Sequence, residues 1–129
     1  MAGVRGAVEG WPKAILRLEG AAALAVAGAL FRIEGGSWIL FAALILLPDI
    51  ALTAYLAGPK IGAIVYNAVH TTIGPLLLSA AGYASGRALI IQIGMVWLAH
   101  VGLDRLLGFG LKYADRFAST HLGILQATK

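Results

Sequence analysis

The chain contains no cysteine, which excludes disulfides, thiolate metal centres and cysteine nucleophiles and leaves the redox compartment undecided. Charge is scarce as well: charged residues make up 12% of the sequence, hydrophobic residues 60%, and mean hydropathy is +0.85. A soluble domain of 129 residues has no interior large enough to hide that much apolar surface. Also absent are an HExxH pair, the GK[ST] ending of a P-loop and a nucleophile elbow, so Ser79, Ser85 and Ser119 carry no hydrolase signature. The net charge of +4 is explained by membrane topology and anionic lipid headgroups, not by nucleic acid.

What is present is a set of long apolar runs. A spanning helix needs about 20 mostly apolar residues, and four stretches meet that need, at about 14–33, 37–57, 60–82 and 87–108. The first ends in small residues like a signal peptide, but Glu9 in its leader and Arg32 and Glu34 directly after it argue for a retained helix. The links "RIEGGS", "AGPK" and "AGYASGR" are short and rich in glycine, as expected for neighbouring helices of opposite direction. Beyond Phe109, Leu111, Phe117 and Leu122 alternate with Lys112, Asp115 and Arg116, which predicts an amphipathic interfacial helix over about 110–122. The expected fold is thus an all-α membrane protein in a single domain: four transmembrane helices in an antiparallel bundle, with an interfacial helix after them. Small residues at Ala21, Ala25 and Ala29 predict a close helix approach, and a homodimer is open to such a face.

Lysine and arginine set the orientation. Arg5, Lys13, Arg17, Lys60, Arg105, Lys112, Arg116 and Lys129 fall on one side of a four-span chain, and only Arg32 and Arg87 on the other. Both termini are therefore expected in the cytoplasm. Counted from the cytoplasmic span ends, Asp49, His70 and His100 lie at about one level, roughly 12 to 15 Å deep. Asp104 stands one turn from His100, and Tyr66 and Asn67 stand one turn from His70. Glu19 is shallower, and Arg105 is expected to snorkel to the interface.

Ionisable side chains cost about 2.5 to 3.5 kcal/mol each at the centre of a span, so they mark a site by default. Two imidazoles and a carboxylate from three helices match a divalent metal, zinc or iron, with Asp49, His70 and His100 as ligands. Asp104 is then a general base or orients His100 through its second nitrogen, and Asn67 and Tyr66 position substrate or water. Haem b between His70 and His100, a proton path, and plain interhelical hydrogen bonds in a non-catalytic subunit or scaffold remain open on the same residues. The polar set is confined to the cytoplasmic half, which favours a pocket open to that side over a channel. Pro48 and Pro75 each remove a backbone donor in mid-span and predict bends there. His121 and Thr120 are weaker metal candidates in the surface segment, and "GFG" at 108–110 reads as a hinge.

The stretches "YLAGPKIGAIVYNAVHT" (55–71) and "HVGLDRLLGFGLKYADRFASTHLG" (100–123) resemble a domain-of-unknown-function family of small bacterial integral membrane proteins, number 4260, over most of the chain. That resemblance implies a multi-pass protein of the bacterial inner membrane, with the lipid bilayer as its partner, and no established activity. More loosely, "LLPDI" and "HTTIGPLLLS" are similar to motifs of bacterial inner-membrane metal-dependent hydrolases. The chain departs from them in lacking a second Asp after Asp49 and in reading His-Thr for Thr-His.

Overall fold

Six helical segments follow one another in the computed structural model, which describes residues 6–112 and 119–124. They are α1 (Gly10–Ile33), α2 (Trp38–Leu44), a 3-10 helix (Leu47–Ala57), α3 (Pro59–His70), α4 (Ile73–Ala84) and α5 (Ala88–Leu107). Ser37 caps α2 by accepting the Leu40 N–H at 3.2 Å, and Pro59 opens α3 at the position where its missing donor costs nothing. Gly108 closes α5 in the left-handed conformation at φ 91°, which a side chain would resist.

Taken with its successor where a break intervenes, these helices make four segments long and apolar enough to cross a membrane: Gly10–Ile33, Trp38–Ala57, Pro59–Ala84 and Ala88–Leu107. They match the expected spans to within a few residues. Large apolar side chains point outward along them, Leu56 being 94% and Ile39 85% exposed. A surface of that kind suits lipid, and the chain is a multi-pass membrane protein.

Helix α5 is the central element, packed extensively on α1 and α4. Its approach to α1 depends on glycine: a Cβ on Gly102 would stand 2.7 Å from the Gly20 carbonyl oxygen, and one on Gly20 would stand 2.5 Å from the Arg105 Cβ. The expected small-residue face was misplaced by one position. Gly20 and Ala27 are buried, while Ala25 and Ala29 are exposed, so the contact stripe lies beside the predicted one. Ala27 and Phe31 then pack with Met95, Val96, Leu98 and Ala99 into the core.

Two spans are broken rather than bent. Pro48 has no N–H for the Leu44 carbonyl, and from Leu47 the chain winds as a 3-10 helix with Asp49 N bonded to Leu46 O at 3.1 Å. That leaves the Ile45 carbonyl without the helical partner Asp49 would have supplied. Pro75 acts likewise: α3 stops at His70, Thr71 is extended (ψ 158°), and α4 begins at Ile73. The last carbonyls of α3 are left to find partners elsewhere.

The predicted interfacial helix over 110–122 is not what the described residues form. Gly110 and Leu111 are non-helical, and Lys112 makes an isolated bridge. The two-residue strands β1 (Ser119–Thr120) and β2 (Gly123–Ile124) pair antiparallel around His121 and Leu122; residues 113–118 of that prediction lie outside the described residues. Helix is lost there because the Leu111 and Lys112 main chains are engaged across space, by His121 and Asn67 respectively. Val8 N–H donates to His121 O at 2.7 Å, which ties the hairpin to the start of the chain.

Candidate metal centre

The carbonyls freed by the two breaks are taken up by one face of α5. His100 Nδ1 lies 2.6 Å from Ile45 O, Trp97 Nε1 donates to Val69 O at 2.6 Å, and Arg105 Nη2 donates to His70 O at 2.8 Å. Arg105 Nη1 also donates to Phe109 O at 2.8 Å, so this guanidinium is engaged by two main-chain carbonyls. Proline placement thus creates acceptors, and the spacing 97, 100, 104, 105 delivers donors and ligands to them from a single helix face.

The same geometry brings Asp49, His70, His100 and Asp104 together, with one ligand atom from each lying within 4.8 Å of all the others. His70 Nε2 and His100 Nε2 are 3.1 Å apart. Asp49 Oδ1 is 3.2 Å from both nitrogens, and Asp104 Oδ2 is 3.3 Å from His100 Nε2 and 3.7 Å from His70 Nε2. The tautomers follow from the other ring nitrogens. His70 Nδ1 lies 2.9 Å from Tyr66 O and His100 Nδ1 lies 2.6 Å from Ile45 O, and a carbonyl only accepts, so both Nδ1 atoms carry the proton. In a neutral ring each Nε2 is then a lone pair. With both rings neutral, two lone pairs and two carboxylates converge, and the group could hold a metal ion. Tetrahedral bonds of about 2.0 to 2.1 Å give edges of about 3.3 Å, close to the separations of 3.1 to 3.3 Å, while Asp104 Oδ2 is 3.7 Å from His70 Nε2 and the ligand atoms spread to 4.8 Å.

Asp104 therefore stands inside the cluster. It does not orient His100 through the second nitrogen, as one sequence expectation had it, because Ile45 O occupies that nitrogen and Asp104 faces Nε2. The two carboxylates differ in access: the Asp49 side chain is 40% exposed and that of Asp104 12%. His70 and His100 are fully enclosed. Three of the four ligands are thus buried, and Asp49 forms the one accessible edge of the cluster.

The remaining candidates surround the cluster. The Tyr66 ring stacks on His70 at 3.7 Å between centroids and 7° between planes. Asn67 spends its amide on the main chain of Lys112, accepting its N–H at 2.6 Å and donating to its carbonyl at 2.8 Å. That clamp holds the Lys112 Nζ 4.7 Å from the Tyr66 ring centre. Burial pushes Lys112 down to about 8, against the attraction of Asp104 and Asp49, which favours its charged form. Burial lowers His121 as well, helped by the nearby Arg105 charge. His121 Nδ1 accepts the Leu111 N–H at 2.8 Å and lines a small cavity of about 140 Å³ with Glu19, Thr72 and Arg105, away from the four ligands.

Haem b does not fit between the two histidines. Axial nitrogens at about 2 Å on opposite sides of an iron stand about 4 Å apart, whereas these are 3.1 Å apart with two carboxylates in the intervening space. Lys112 and Trp97 escaped the sequence reading as parts of the site, while Arg105 entered it as an interfacial residue. Only the i, i+3 spacing of Trp97 and His100 on α5 hinted at Trp97, and nothing hinted at Lys112.

The chain matches the family described as Domain of unknown function (DUF4260) over residues 13–125. It belongs to that family, in agreement with the resemblance seen in its two long motifs. No curated protein and no solved structure matches it.

Proposed function

We propose that this member of a family of unknown function is an intramembrane metalloprotein in which Asp49, His70, His100 and Asp104 hold one divalent ion, zinc or iron. Its activity is hydrolase-like, on a lipid or other amphipathic substrate. One observation carries the reading: both imidazoles are fixed by main-chain carbonyls so that their Nε2 lone pairs meet two carboxylates at 3.1 to 3.7 Å. A divalent ion supplies Lewis-acid chemistry and water activation in such a setting.

The chain's own groups then divide the work. Asp104 is enclosed and serves as a permanent ligand beside His70 and His100. Asp49, the accessible carboxylate, meets the substrate and takes up a proton there, which exchanges the roles the sequence suggested for the two aspartates. Tyr66 holds the plane of His70, and Asn67 acts through Lys112, whose ammonium offsets part of the carboxylate charge. The reading includes an antiparallel bundle in the bacterial inner membrane with both termini in the cytoplasm, on the distribution of lysine and arginine.

The test is elemental analysis with an optical spectrum on untagged protein purified in mild detergent. About one zinc or iron per chain is expected, lost in His100→Ala while helical circular dichroism persists. A metal-free, colourless protein would favour the second reading, a non-catalytic subunit or scaffold. The observation behind that reading is that polar side chains here tie separate segments together: Trp97 and Arg105 join α5 to α3, and Asn67 joins α3 to Lys112.

A further inference from the structure

The break at Pro48 leaves more than a free carbonyl. Between the second, third and fourth spans lies a groove of about 290 Å³, near the lower end of the range for small-molecule sites, about 300 to 1,000 Å³. Val96 forms its floor at 1% exposure, and Leu47 and Ile93 form its exposed rim. Its inner wall is Pro48 and Val69, the residues immediately before the ligands Asp49 and His70. No charged side chain lines it. The one polar side-chain atom among its lining residues, Trp97 Nε1, is committed to Val69 O.

The groove is also shaped in advance. Trp97 lies against Gly74, where a Cβ would stand 2.5 Å from the indole, so the glycine makes room for the ring and the Val69 bond fixes its angle. The opening lies within membrane-spanning segments, and Pro48 in its wall directly precedes Asp49, the most accessible of the four ligands. A site reached through an apolar opening inside the bilayer is fed by lipid, not by water-soluble molecules.

We infer that this groove is the acyl-chain subsite of the metal centre. An amphiphile enters sideways from the bilayer, lays its hydrocarbon chain between Leu47, Ile93 and Trp97, and presents its polar end to Asp49. The inference rests on the metal reading above and deepens it by naming the substrate class, a molecule with a single extended acyl chain.

Trp11→Phe with Trp38→Phe leaves Trp97 as the sole indole of the full chain, and dibromostearate, whose bromines quench tryptophan on contact, is the probe. The expected result is saturable quenching, reversed by unbrominated stearate, with the apparent Kd raised about tenfold or more by Leu47→Phe with Ile93→Phe. Both substitutions are on the exposed rim, so the fold and the metal content of the same samples should be unchanged. Quenching that rises linearly without saturation, or that ignores the rim substitutions, in a protein carrying its metal overturns the subsite and leaves the metal centre standing. A protein without metal overturns the metal reading, and the subsite with it. Should a second copy of the chain cover the groove, dibromostearate fails to quench while cross-linking from Leu47→Cys captures dimers, which also overturns the inference.

Discussion

His70 and His100 turn their Nε2 atoms toward each other at 3.1 Å while each keeps Nδ1 on a main-chain carbonyl. The His100 ring cannot turn without leaving the Ile45 carbonyl unpaired inside the membrane. Removing either imidazole should therefore drop metal content from about one per chain to background. Stripping the metal from the native chain should lower its stability by about 2.7 kcal/mol for an ion present at 100 times its Kd. Elemental analysis and thermal unfolding followed by circular dichroism check both, and full metal content in His100→Ala would sink the assignment.

Asn67 makes two hydrogen bonds to the Lys112 main chain, at 2.6 and 2.8 Å. Asn67→Leu should cost about 1 to 3 kcal/mol for the pair and release the segment after Gly108. Limited trypsin digestion reports it directly: cleavage after Lys112 should be slow in the native chain and fast in the variant. Equal rates would mean that the clamp does not hold the segment.

The Gly20–Gly102 contact predicts a selective pattern along α1. Gly102→Ala should destabilise the protein by about 1 to 3 kcal/mol by forcing α1 and α5 apart. Ala25→Leu, on the exposed side, should stay within about 0.5 kcal/mol of neutral. Unfolding midpoints in one detergent give the comparison, and the reverse order would place the contact on the wrong face.

Lys112 predicts a pH dependence with a definite sign. Its folded value of about 8 lies below the ordinary 10.5, so between those two values the unfolded chain binds more protons than the folded one. Stability should rise with pH across that window and level off above it. Lys112→Met should flatten the rise in thermal midpoint; an undiminished slope would assign it to another group.

The common depth of Asp49, His70 and His100 was legible in the sequence because depth in a span is a matter of counting residues from its ends. Asp104 was legible as a neighbour of His100 by its i+4 spacing, yet its role was not, since that depends on which ring nitrogen Ile45 occupies. Pro48 and Pro75 announced irregularity, but whether a helix bends or stops depends on which donors reach the freed carbonyls, and those donors lie on α5. Leu111 and Lys112 are not in the expected interfacial helix for a related reason. An amphipathic pattern records which side chains prefer lipid, while the Asn67 and His121 contacts that override helix in Leu111 and Lys112 join residues far apart in the chain.

The carbonyls of Ile45, Val69 and His70 all find their partners on the last span. A chain threaded into the membrane in sequence order therefore carries two unfinished spans until Trp97, His100 and Arg105 arrive. The helix that supplies two of the four clustered side chains is also the one that ends this exposure, so completion of the spans and assembly of the Asp/His cluster are a single late event. A nascent chain stalled before Ala88 would display unpaired backbone in lipid, a mark by which membrane quality control can tell it from the finished protein.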